Sequence, residues 1–68
     1  MAELVKVVVD AMGGDNAPEE PVKAAVEAVK EREDIFVILT GLEDVIKKEL
    51  NKYQGYPEER IQIVHTSE

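Results

Sequence analysis

The chain has 68 residues, no cysteine, and 15 acidic against 8 basic side chains, for a formal charge of −7. That length allows one small domain at most, with neither a disulfide staple nor a thiolate metal site to support it. The acidic balance disfavours nucleic acid and anionic lipid head groups as partners of this segment, and no apolar run reaches the ~18 residues of a spanning helix.

The first residues lack the basic and apolar regions of a secretion signal, so the cytoplasm is the expected location. Leu4 to Val9 is β-branched and apolar except for Lys6, which predicts a strand. From Pro18 to about Glu33, Val22, Ala25, Val26 and Val29 recur at helical spacing and form one stripe. Pro18 and Pro21 fit only the first turn of that helix, where a missing N–H costs nothing. Glu19 and Glu20 favour the helix dipole at one end, Lys30 and Arg32 at the other.

Ile35 to Leu39 is a run of large apolar residues, as expected of a strand buried on both faces. Thr40-Gly41-Leu42-Glu43 reads as a capping box with Thr40 as N-cap. Leu42, Val45, Ile46, Leu50 and Tyr53 supply the stripe of a second helix, which Gly55 is expected to end and Pro57 to break. Tyr53 and Tyr56 are expected to pack beneath it. Ile61 to His65 reads as a third strand.

The order β-α-β-α-β implies a parallel sheet with right-handed crossovers. With the strands in consecutive order, both helices cover one face and the other is bare; with the third strand beyond the first, each face receives one helix. Either arrangement leaves two open edges. Residues 1–68 therefore read as the first portion of a larger α/β domain with no internal boundary, or as one half of an assembly.

Gly13-Gly14 lies at the carboxyl end of the first strand, where open α/β sheets bind their ligands. Glycines bare the backbone N–H groups, and a helix N-terminus just beyond adds partial positive charge, a combination suited to phosphate. The P-loop and dinucleotide fingerprints are both absent, and a Gly-Gly pair also serves as a plain tight turn. Asp10 and Asp15 flank the glycines. They either contact a ligand, through Mg²⁺ or basic groups from elsewhere, or brace the loop: Asp10 by bonding its amides, Asp15 or Asn16 by capping the helix. A haloacid-dehalogenase-type enzyme would need aspartate where Met12 stands. His65, the single histidine, is placed at the same rim as a possible acid, base or anion donor. Thr40 and Gly41 share that rim, offering a hydroxyl and backbone amides.

The run Val9-Asp10-Ala11-Met12-Gly13-Gly14-Asp15-Asn16-Ala17-Pro18 resembles the amino-terminal signature of the bacterial phosphate acyltransferases of phospholipid synthesis, the PlsX family. The resemblance continues through Val22–Val29 and Ile35–Gly41 to the closing Ile61-Gln62-Ile63-Val64-His65-Thr66-Ser67-Glu68. It implies a parallel three-layer, Rossmann-like portion of an isocitrate dehydrogenase/phosphotransacetylase-like domain. The implied activity moves a fatty acyl group from acyl carrier protein to inorganic phosphate; no cofactor is expected and no residue of this segment is assigned to a metal, the metal requirement of the full-length protein being set by residues outside it. Asp10, Gly13, Gly14, Asp15 and Asn16 would line the phosphate-binding rim, the catalytic residues being unassigned. The family commonly has histidine where this chain has Asn16, which can hydrogen-bond but cannot act as a base. Its enzymes are several times longer, so the acyl groove and the dock for acyl carrier protein would lie outside this segment, and the segment alone would be inactive. A homo-oligomer and peripheral membrane association of the full-length protein are further implications. The alternatives from the residues themselves are a non-catalytic anion-binding α/β module and a structural segment completed by another chain.

Overall fold

A computed structural model of the chain describes residues 3–66. Ser67 and Glu68 of the closing run lie outside the described residues. The elements run β1 (Val5–Asp10), α1 (Glu19–Glu31), β2 (Ile35–Gly41), α2 (Glu43–Leu50), a single 3-10 turn (Glu58–Arg60) and β3 (Ile61–His65). All three strands are parallel and lie in the order β1-β2-β3. Val7 stands beside Val37 and Leu39 beside Ile63, so the three carboxyl ends reach one rim together.

This settles the strand order that composition left open. Right-handed crossovers between consecutive strands place both helices on the same face. The core accordingly lies between that face and the helices: Val22, Ala25, Val26 and Val29 of α1, Ile46 and Leu50 of α2, Val37 and Leu39 of β2, and Ala11. The expectation that β2 is buried on both faces needs correcting among the described residues. Val37, Leu39 and Gly41 are buried, while Phe36, Ile38 and Thr40 alternate with them and remain partly exposed on the side without a helix. The described residues thus make up a sheet and one helical layer of the α/β arrangement.

Three boundaries differ from the sequence reading. Helix α1 starts at Glu19, with Pro18 as a cap that makes no side-chain bond. Thr40 does not cap α2; it lies within β2, where its carbonyl accepts the Ala11 N–H at 2.9 Å. Pairing with β3 draws Gly41 into the sheet as well, and the helix starts two residues later, with Leu42 as N-cap. Helix α2 ends at Leu50, well before Gly55. There the chain tightens into i→i+3 bonds, Lys52 N–H to the Glu49 carbonyl at 3.1 Å and Tyr53 N–H to the Leu50 carbonyl at 3.0 Å. That turn brings Tyr53 and Tyr56 against the core, and Gly55 forms a later bend at φ +75°.

Candidate functional site

The site is built from the segment joining β1 to α1. Asp10 closes β1 and turns its carboxylate back on the loop: Oδ1 accepts the Met12 N–H at 3.0 Å, and its carbonyl accepts the Gly13 N–H at 3.3 Å. This is the bracing role foreseen for Asp10, an Asx-type turn that starts the reversal. Gly14 follows at φ +92°, a backbone conformation that suits glycine and strains other residues.

Asp15 to Pro18 then form a separate turn ahead of the helix, and the Ala17–Pro18 peptide bond is cis. The Asn16 carbonyl accepts the Glu20 N–H at 3.1 Å, and the Asn16 side-chain amide donates to Glu20 Oε2 at 3.0 Å. Neither Asp15 nor Asn16 caps α1 through its side chain, because the intervening turn presents a main-chain carbonyl instead. Pro21 occupies the first turn without an N–H, and Glu19 and Glu20 add negative charge there. The helix end therefore offers an anion little; the glycine turn offers more. The N–H groups of Gly14, Asp15 and Asn16 have no partner among the described residues.

An open concavity of about 310 Å³ is lined by Gly13, Gly14, Asp15, Asn16, Glu20 and Pro21. The sequence marks Glu20 and Pro21 only as first-turn residues of the helix and not as part of the site, because the turn that brings Asn16 against Glu20 lies outside the helix. The lining includes two carboxylates and no lysine or arginine. A phosphate held here would be met by backbone donors on one side and would need cationic groups from outside this lining. Among the described residues, no group of three or more His, Asp or Glu side chains converges to hold a metal ion.

The remaining rim residues are brought to the same end of the sheet but differ in availability. Asp10 stands beside Thr40, and Gly41 beside His65. Gly41 is buried and lies directly beneath Met12 of the glycine loop. The Nδ1 of His65 accepts the Glu43 N–H at 3.1 Å, satisfying one of the free donors at the start of α2. An imidazole in that position acts as a helix cap across 22 residues of sequence. No local spacing could have announced it.

A second non-local device fixes the opposite end of the sheet. The Arg60 guanidinium donates to the carbonyls of Arg32, Ile35 and Val29, the last at 2.7 Å. It thereby satisfies the carboxyl end of α1 and the start of β2 together. Nearby, the Arg32 guanidinium forms a two-pronged pair with Asp34, at 3.2 and 3.1 Å, which holds the Asp34 carboxyl below its ordinary value.

Residues 5–68 match the family described as fatty acid synthesis protein. The chain belongs to that family. It is similar to the phosphate acyltransferase of Halothermothrix orenii, at 50% identity over 64 residues, covering 94% of this chain and 19% of the relative. The phosphate acyltransferases of Alkaliphilus oremlandii and Dictyoglomus turgidum are 56% and 53% identical over the same length, with 94% of this chain and 18% of each relative covered. The chain thus spans less than a fifth of the curated relatives it matches. None of the helices described is long and apolar enough to cross a membrane.

Proposed function

We propose that this segment supplies the phosphate-holding rim of a phosphate acyltransferase that moves a fatty acyl group from acyl carrier protein to inorganic phosphate. The observation that carries the reading is the Asp10-braced glycine turn, whose Gly14, Asp15 and Asn16 N–H groups have no partner among the described residues, at the carboxyl rim of a parallel sheet. The name of the relatives, phosphate acyltransferase, supports it, since acyl transfer to phosphate needs a phosphate bound close to an acyl group.

In that reaction a phosphate oxygen attacks the thioester carbonyl carbon. A carbon–oxygen bond forms, the carbon–sulfur bond breaks, and the carrier thiolate leaves and takes up a proton. The product, acyl phosphate, feeds phospholipid synthesis. Backbone donors of the glycine turn orient the phosphate and offset part of its charge. Asn16 orients but accepts no proton, so base catalysis falls to groups outside this segment. Cations that balance Asp15 and Glu20 come from there too, and the segment alone is inactive.

The test is a hybrid enzyme in which this chain replaces the matching 64 residues of the Halothermothrix orenii protein. Acyl phosphate formation by the hybrid, and none by the 68-residue chain, is the expected result. Turnover by the chain alone, or a folded hybrid unable to turn over, overturns the proposal.

A further inference from the structure

The concavity at the glycine turn is lined by hydrogen-bonding groups of opposite sense. The N–H groups of Gly14, Asp15 and Asn16 only donate, which suits an anionic oxygen. The ionised carboxylates of Asp15 and Glu20 only accept. Glu20 Oε2 already accepts from the Asn16 side-chain amide at 3.0 Å. Glu20 Oε1 and both oxygens of Asp15 have no partner among the described residues. The neighbouring charges have the same sign: the Asp10 carboxylate lies against Gly13, and Glu19 shares the first turn of α1.

A bare oxyanion seated here meets donors on one side and carboxylate oxygens on the other. Cations from the rest of the protein offset the summed charge, but they leave the sense of those oxygens unchanged. Two acceptor oxygens in contact repel unless a proton lies between them. Inorganic phosphate brings that proton, because at neutral pH its monoanion and its dianion both keep a P–O–H. Sulfate has nearly the same size and shape and keeps none.

We infer that Asp15 and Glu20 are the specificity-determining residues of this rim: they accept the P–O–H of phosphate while the glycine-turn amides hold its bare oxygens. The inference deepens the proposed function and rests on it. The rim then takes the class of tetrahedral oxyanions that retain a proton, phosphate and arsenate, and rejects sulfate. It also favours substrate over product. When phosphate attacks the thioester and its proton passes to the departing thiolate, the acyl phosphate dianion has no O–H left for Asp15 or Glu20. Two acidic residues beside an anion site therefore serve as a filter, at a cost in charge that the rest of the protein offsets.

Separate titrations of the hybrid enzyme with inorganic phosphate and with sulfate, at matched ionic strength, test this through the amide resonances of Gly13, Gly14, Asp15 and Asn16. Half-saturation by sulfate should need at least about tenfold more anion than half-saturation by phosphate, because the unpaired carboxylates penalise a ligand without the O–H. Asp15→Asn and Glu20→Gln put amides that can donate in place of the carboxylates, and each should narrow that ratio by about threefold or more. Arsenate needs no variant and should match phosphate to within about threefold, so the test survives a variant that fails to fold. Sulfate binding within about twofold of phosphate overturns the inference and leaves the phosphate-holding turn standing. Arsenate rejected as strongly as sulfate overturns it too, as does a phosphate-to-sulfate ratio unchanged in both variants. Silence of the four amides towards all three anions overturns the inference together with the proposed function.

Discussion

Gly41→Ala should be among the most damaging single-methyl changes the chain can accept. Gly41 sits at φ +147°, and a Cβ there would come 2.6 Å from Met12 Cγ and 3.3 Å from Ile46 Cδ1. The Ile46 contact is with the tip of a side chain and yields cheaply. The Met12 contact is not with a tip, because Sδ and Cε lie beyond Cγ, so the whole side chain must swing and carry the glycine loop with it. Backbone strain at such a φ costs ~1–3 kcal/mol, and forced overpacking a further ~1–3 kcal/mol. A domain of 68 residues has in all about 3–10 kcal/mol of stability to lose. Urea unfolding followed by far-UV circular dichroism should therefore show a loss of about 2–5 kcal/mol, or no cooperative transition at all. Gly55→Ala is the control: its φ is +75° but nothing lies within 4 Å, so only strain of ~1–2 kcal/mol is expected. Adding Met12→Ala to Gly41→Ala should return the overpacking part and not the strain. A Gly41→Ala variant that loses less than about 0.5 kcal/mol would refute the reasoning, because it would mean that β2 and the glycine loop are not packed as described.

Arg60→Lys should cost about 2–4 kcal/mol in the same assay, since an ammonium cannot span the carbonyls of Val29, Arg32 and Ile35 together; a loss under 1 kcal/mol would mean that those carbonyls are equally well served by water. His65→Ala should cost about 1 kcal/mol through the lost cap on Glu43, and amide exchange should quicken first in the opening turn of α2; unchanged exchange there would remove the cap assignment. The Arg32–Asp34 pair lowers the Asp34 pKa, so its stabilisation is present above the ordinary carboxylate range and is lost as pH falls through the lowered folded value. An NMR titration of Asp34 should show that lowered midpoint, and Arg32→Gln should return it towards the ordinary one; an identical midpoint in both proteins would dismiss the pair.

Much of the architecture was written in local pattern. The valine-rich run of β1, the stripe of Val22, Ala25, Val26 and Val29, and the bounds of β3 all follow from side-chain periodicity, which registers how each element meets its core. The glycine turn and the bracing role of Asp10 were equally legible, because they need only residues close in sequence. Thr40 shows where local reading fails. Its capping-box spacing is genuine, but pairing of Gly41 with His65 draws the segment into the sheet, and tertiary pairing outweighs a cap worth ~1 kcal/mol. Strand order was not legible, since right-handed crossovers are compatible with either placement of β3. Arg60 and His65 act on groups 25 to 31 and 22 residues away where they bridge between elements, which no windowed pattern encodes.

The central claim is that the Gly13–Asn16 turn is built to hold phosphate, and titrating the hybrid enzyme with inorganic phosphate while following its amide resonances tests it most directly. Saturable shifts centred on Gly13, Gly14, Asp15 and Asn16, abolished by Gly14→Val with the rest of the spectrum intact, are the predicted result. Saturable shifts elsewhere in the folded enzyme, with these four amides unmoved, would contradict it.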